Sequence, residues 1–341
     1  MKNDDVFSLQ NATVLNAILK AQDVLYRHDQ IVVSISGGSD SDIVLDMVER
    51  NKREGQEIHY VFFDTGIEYK ATKDHLDYLE QRYGIKIERI RAEKPIPLCV
   101  KEYGVPFLSK HISQQIAYLQ KVGFNWEDGD FDELCQKYPK AKCAFMWWCN
   151  QHQKNNKNGI LFDIDRHPYL KDFLMENPPP FKISNKCCDY AKKRVAHKFY
   201  RLTNADLSVV GVRKAEGGLR ATTYKTCYDQ GIGTDHFRPV FWLTDEDKRF
   251  YEQEFGIVHS DCYKKYGLKR TGCVGCPFST KILEELKVIE AFEPRLYKAV
   301  LNVFGKSYEY TQRYKQFRQR KKEEAKRDAN QITIEFGGEE E

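Results

Sequence analysis

The sequence has no long apolar run. Nothing in it approaches the roughly eighteen consecutive apolar residues of a bilayer-spanning helix, so a helical membrane span is not expected. Met1 to Gln30 mixes charges with short apolar groups and lacks the basic start, apolar middle and small-residue cleavage site of a secretory signal, which predicts a cytosolic location. In a reducing compartment the ten cysteines are not a disulfide framework; they read as thiols, metal ligands or catalysts. Excess charge is also scarce. A net charge of +4 does not by itself point to a nucleic-acid partner and reads as a solvated, mildly basic surface. No internal repeat is found.

What is present is the pattern of a globular enzyme. A chain of 341 residues fills one large core or two modest ones. Ile31 to Ile35 is a β-branched strand, and Ile43, Val44, Met47 and Val48 follow at helical spacing. Ile58 to Phe63 reads as a second strand, Lys70 to Tyr83 as an amphipathic helix and Lys86 to Ile90 as a third strand. From Cys99 to Lys186 the pattern breaks into Pro-punctuated, aromatic-rich pieces that read as an insertion. Winding resumes with a helix from Asp189 to Arg201, a strand from Leu207 to Val212 and an extended piece from Phe237 to Trp242. The reading is an α/β, Rossmann-like parallel twisted sheet flanked by helices, with an inserted subdomain and a C-terminal helical extension. Its divisions fall at residues 1–98, 99–186, 187–279 and 280–341, the last carrying the basic stretch Arg318, Arg320, Lys321 and Lys322.

Ser36-Gly37-Gly38-Ser39-Asp40-Ser41 lies where the first strand ends and a helix begins, so backbone N–H groups and the helix N-terminus face one point and suit an anion. Ser34 closes on this loop from the strand. Gly37 and Gly38 permit close approach to phosphate, the serine hydroxyls add donors, and Asp40 fits either a magnesium ion or a cap. Asp64-Thr65-Gly66 with Glu68 ends the second strand at the carboxyl edge, where open α/β sheets bind ligands. Gly211 to Arg220 leaves a later strand at that same edge. Its Arg213 and Arg220 suit bidentate contact with phosphate or sulfate, and Glu216 lies between them. Two cysteine pairs stand apart: Cys187-Cys188 and Cys273-x-x-Cys276, the second able to chelate one centre from a tight turn. On spacing alone zinc and iron-sulfur are equally credible.

The Ser-Gly-Gly-x-Asp-Ser string resembles the loop of ATP pyrophosphatases, and with the Asp-Thr-Gly turn and the Gly-x-Arg-x-x-Glu-x-x-x-Arg loop it is similar to the PAPS-reductase-like superfamily of the adenine nucleotide alpha-hydrolase fold. Relative to that pattern the chain lacks the lysine common at the position of Ser39. The cysteine pattern resembles the 4Fe-4S sites of adenylylsulfate reductases, which implies Cys187, Cys188, Cys273 and Cys276 as ligands, with Cys262 as a possible substitute for one of the adjacent pair. Cys99, Cys135, Cys143, Cys149 and Cys227 read as small buried hydrophobes, Cys227 being the best exception because it follows the Arg-Gly loop. The resemblance implies two activities. Reduction of a sulfated adenosine nucleotide with thioredoxin calls for a C-terminal Glu-Cys-Gly nucleophile, and no cysteine follows Cys276. ATP-dependent sulfur transfer, as in DNA phosphorothioation and tRNA thiolation enzymes, implies ATP with magnesium, catalysis by Asp40, Arg213 and Arg220, a sulfur-donor protein and a nucleic-acid or small-molecule acceptor. A metal-stapled nucleotide- or nucleic-acid-binding module without turnover is the non-enzymatic alternative.

Overall fold

The computed structural model of the chain describes residues 9–155, 159–217 and 223–336. The chain divides into two compact units, Met1–Ile96 with Cys188–Val274 and Glu285–Tyr297, and Pro97–Cys187 with Gly275–Glu284 and Lys298–Glu341.

The first unit carries helices α1 (Ala12–Tyr26), α2 (Ser39–Asn51), α3 (Lys70–Tyr83), α4 (Arg194–Leu202) and α5 (Asp245–Glu254). Its strands are β1 (Gln30–Ser34), β2 (Glu57–Asp64), β3 (Ile87–Arg91), β4 (Leu207–Val210), β5 (Tyr228–Asp229) and β6 (Asp235–Phe237). They form one six-stranded sheet in the order β3-β2-β1-β4-β6-β5, parallel except for the β5–β6 pair at the edge. The doubly wound parallel sheet expected from the sequence is therefore present. Strand alternation explains the burial. Ile31 and Val33 join one apolar cluster with residues of α1, α2 and α5, while Val32 joins Val61 and Phe199 in another.

Two strand expectations shift. β4 stops at Val210, because the Val212 amide turns back to the Val210 carbonyl. The extended piece expected at Phe237 to Trp242 is instead the end of a strand that begins at Asp235. Beyond Phe237 the Arg238 amide is spent on the Cys227 carbonyl, Pro239 has no N–H, and the amides of Phe241 and Leu243 close turns onto Arg238 and Val240.

The second unit is helical, including Lys110–Lys121, Phe131–Lys137, Lys142–Trp148 and Leu170–Glu176. Trp147, Trp148, Phe145 and Phe173 are fully buried in its core. Tyr310, from the long helix Pro294–Phe336, packs at 5.0 Å from the Phe173 ring and donates to the Asn177 carbonyl at 2.6 Å. No helix of the described residues is long and apolar enough to cross a membrane.

Beneath the start of α2 lies a buried charge network within the first unit. Asp42 is fully buried; one oxygen accepts from His259 Nδ1 at 2.7 Å, and the other lies 3.1 Å from His75 Nε2, off the line of a good hydrogen bond. His259 Nε2 meets Glu252 of α5 at 2.8 Å. Burial alone would lower the His259 pKa, but Asp42 and Glu252 outweigh it and push it up to about 9. Burial would raise the Asp42 carboxyl, yet the two histidines hold it below its ordinary value.

An unfolded histidine titrates near pH ~6.5, so the stability that His259 contributes is full below that value and is lost as pH rises through about 9. Thermal melts of the wild type and of His259→Gln are expected to differ most at and below pH ~6.5 and to converge on the alkaline side, above about 9. Curves that stay parallel would refute the assignment.

Candidate functional site

β1 and β4 are neighbours at the centre of the sheet, and β2 and β4 flank β1 on opposite sides. The loops leaving the carboxyl ends of β1 and β4 therefore face each other at the point where the strand order reverses, where a parallel sheet opens a crevice.

The β1 loop is held by its own hydroxyls. Ser41 Oγ donates to the Gly38 carbonyl at 2.7 Å and accepts from Ser36 Oγ at 3.2 Å and from the Ser36 amide at 3.3 Å. Gly37 has φ +67°, and a Cβ there would lie 2.6 Å from Thr72 Cγ2 on α3. Only glycine makes this turn without strain. The Gly38 amide faces Ser36 Oγ at 3.3 Å, and the Ser39 amide donates to the Tyr263 hydroxyl at 3.0 Å, which in turn lies 3.1 Å from Thr271 Oγ1. Neutral hydroxyls thus occupy the amides at the positive end of α2, a position that favours an anion.

The β4 loop closes onto the same helix start. A Cβ on Gly211 would lie 3.0 Å from both the Asp40 carbonyl carbon and the Ser41 amide nitrogen, so the two backbones touch. Arg213, 7% exposed, is turned back into the unit and is not open to a phosphate. Its Nε donates to Asp40 Oδ1 at 3.0 Å and its Nη1 to Asp245 Oδ1 at 2.8 Å. The same Asp40 oxygen accepts from Lys248 Nζ at 2.7 Å. Glu216 lies 3.6 Å from Arg270, and Ser34 Oγ 3.5 Å from the Tyr200 hydroxyl. Arg220 lies outside the described residues.

Asp64, Thr65, Gly66 and Glu68 form a closed turn. Asp64 accepts from the Gly66 amide at 2.8 Å, and Thr65 Oγ1 donates to Glu68 at 2.5 Å. Burial raises the Glu68 carboxyl above its usual value, with Thr65 and Lys192 acting against it. The Val274 amide bonds the Ile67 carbonyl at 3.3 Å, so this turn backs onto the Cys273 segment.

Cys188, Cys262 and Cys273 belong to the first unit, Cys187 and Cys276 to the second. Cys273 bonds Lys192 and has Glu68 and Cys188 as neighbours. That thiol raises the Lys192 pKa; burial raises the thiol's own, which Lys192 opposes. Cys262 is engaged elsewhere, fully buried with Sγ 3.6 Å from Thr72 Oγ1. In the second unit Gly275, at φ +63°, accepts from the Tyr308 hydroxyl, and the Ser279 amide closes a turn onto the Cys276 carbonyl at 2.9 Å. Among the described residues no three His, Cys, Asp or Glu side chains converge as metal ligands, and none of the cysteines forms a disulfide. Of the cysteines expected to be buried hydrophobes, Cys99 is buried, Cys135, Cys149 and Cys227 are half-buried, and Cys143 is exposed, its neighbours Ala144 and Phe145 taking the inward face of the helix.

Lys248, Thr271 and Lys192 stand at these loops without a spacing signal of their own. Thr244 and Asp247 mark a helix start by their capping-box spacing, but nothing in the sequence ties Lys248 to residue 39.

The phosphoadenosine phosphosulfate reductase domain model matches residues 30–139, a stretch that holds the β1 loop and the Asp64 turn but neither Arg213 nor the paired cysteines. An uncharacterized protein of Methanocaldococcus jannaschii is 36% identical over 102 residues, covering 29% of this chain and 21% of that protein. The chain thus spans about a fifth of that relative. An uncharacterized 37.8 kDa protein of Escherichia phage 186 is 25% identical over 271 residues, covering 73% of this chain and 67% of that one. Among solved structures, a phosphoadenylyl-sulfate reductase from Candida auris in a phosphate complex aligns at TM-score 0.40 and 11% identity, over 80% of this chain and 96% of that one. A U34-tRNA thiolase from Methanococcus maripaludis, with its 4Fe-4S cluster, aligns at TM-score 0.39 and 11% identity, over 91% and 81%. The resemblance read from the sequence is met by the family match: residues 30–139 are similar to the phosphoadenosine phosphosulfate reductase domain.

Proposed function

We propose that the chain is an ATP-dependent, AMP- and pyrophosphate-forming enzyme that activates an acceptor for sulfur transfer. The observation that carries this reading is the contact of the Gly211 backbone with the first residues of α2, which sets two phosphate-type loops together at the switch point of the sheet. The amides of Gly38 and Ser39 and the α2 N-terminus would hold the phosphates, and Ser36 and Ser41 would brace the loop.

The acceptor oxygen attacks the α-phosphorus of magnesium-bound ATP, the bond to the bridging oxygen breaks, and pyrophosphate leaves. A sulfide-level sulfur nucleophile from a donor protein then displaces AMP from the acceptor, which takes the sulfur as AMP takes the oxygen. Asp40, held by Arg213 and Lys248, is the carboxylate that would meet the magnesium of that substrate, and Arg213 would keep it oriented. The acceptor class proposed is nucleic acid or a small molecule, and the compartment proposed is the cytosol.

The resemblance of the cysteine pattern to the adenylylsulfate reductases supports a 4Fe-4S centre on Cys187, Cys188, Cys273 and Cys276, with zinc the rival and Cys262 the possible substitute. Loading it requires Lys192 to leave Cys273. No step of the activation described above runs through that centre.

Pyrophosphate and AMP are expected from ATP in the presence of a thiolation acceptor, with a loss of about 100-fold or more in Asp40→Asn. Gly37→Ala, which strains the turn and collides with Thr72, is expected to lose nucleotide binding. Sulfite release from a sulfated adenosine nucleotide with thioredoxin, without pyrophosphate from ATP, would replace this reading with reduction. Nucleotide binding with no turnover of either substrate would leave a binding module. Protein isolated without oxygen is expected to contain about four iron and four sulfide per chain and to lose them in Cys273→Ser; zinc without iron would overturn the cluster.

A further inference from the structure

Ser39 stands where the related loops carry a lysine, yet an ammonium is present at that position in space. Lys248 Nζ donates to Ser39 Oγ and, at 2.7 Å, to Asp40 Oδ1. We propose that Lys248 is the polyphosphate-binding lysine of this site, supplied from α5 because the loop itself has none. The inference rests on the nucleotide reading above and names the residue that would grip the phosphates beyond the first.

Four observations favour a ligand-binding role over a counter-ion for Asp40. Asp40 is already paired: the oxygen that accepts from Lys248 also accepts from Arg213 Nε at 3.0 Å, and two cations on one carboxylate leave positive charge at the loop. The other partner of Arg213, Asp245, is 71% exposed and screened by solvent. Glu252, the remaining acid near Lys248, stays 3.8 Å from Nζ because His259 holds it at 2.8 Å. An ammonium has three donors, and the hydrogen bonds of Lys248 use two.

The scaffold behind Lys248 is rigid. The Thr244–Asp247 capping box starts α5, with the Asp247 amide donating to Thr244 Oγ1 at 3.1 Å and the Thr244 amide to Asp247 at 2.9 Å. Asn11 fixes Asp247 from α1's N-cap at 2.8 Å. The Lys248 side chain is 14% exposed, so its stem is packed and its head is aimed at the first turn of α2. Serine at position 39 is the complement of this arrangement. A lysine there would set two ammonium groups against one another, so one lysine at either position satisfies the loop, and two conflict.

Calorimetric titration of the full chain with magnesium ATP, inorganic pyrophosphate and AMP tests this. Lys248→Met is expected to weaken ATP and pyrophosphate by about ten-fold or more and AMP by less than about two-fold, since one charge-assisted contact beyond the α-phosphate is lost. Lys248→Arg is expected to keep most of the affinity, and Ser39→Lys/Lys248→Met to recover it by returning the ammonium to the loop. Unchanged ATP affinity in Lys248→Met overturns the proposal, as does parallel loss of AMP and ATP in a variant with a wild-type melting curve. If Lys248→Met does not fold, failure of the relocated lysine in the double variant to bind ATP overturns it. A wild type that binds neither ATP nor AMP removes the nucleotide reading itself, and this inference with it.

Discussion

The pairing of β1 with β4 is the constraint on which the site depends. Ile31 lies opposite Leu207 and Ser34 opposite Val210, so residues some 170 positions apart in sequence leave the sheet side by side. Parallel strands need a crossover, and here the connection between them includes Pro97–Cys187 of the second unit before returning. Gly211 then lies against the backbone of Asp40 and Ser41. A Cβ at residue 211 would press on the Asp40 and Ser41 backbone at 3.0 Å, so the two loops would have to part by a few tenths of an ångström.

The second feature is how charge is distributed around the start of α2. Asp40 pairs with two largely buried cations, while Asp42, two residues on, is buried between two histidines. The pattern is one of strict pairing: His259 bridges Asp42 and Glu252, which withholds Glu252 from Lys248 and leaves that lysine to the loop. A buried charge without a partner costs several kcal/mol, roughly, so each of these groups constrains the next. The positive end of α2 is consequently backed by anions fully committed elsewhere, and the loop amides meet only neutral hydroxyls of Ser36 and Tyr263.

Much of this was legible in the sequence because local rules wrote it there. The β-branched run at Ile31 and the helix at Lys70 to Tyr83 follow from periodicity, and the loop between Ser36 and Ser41 from glycine and hydroxyl chemistry at a strand end. What failed was decided by partners distant in sequence. Phe237 to Trp242 has strand-like composition, but Arg238 gives its amide to Cys227 and Pro239 ends the ladder. Arg213 looks like a phosphate grip by residue type, and only the positions of Asp40 and Asp245 turn it into an internal clamp.

Lys248 is the sharpest case of the same rule. A sequence motif assigns function to a position in the chain, whereas a phosphate responds to a charge at a position in space. The loop's departure at Ser39 therefore reads as a loss when the sequence is taken alone. With α5 docked by its capping box and by Asn11, the short Ser39 side chain leaves room in which the Lys248 ammonium reaches the loop from another element.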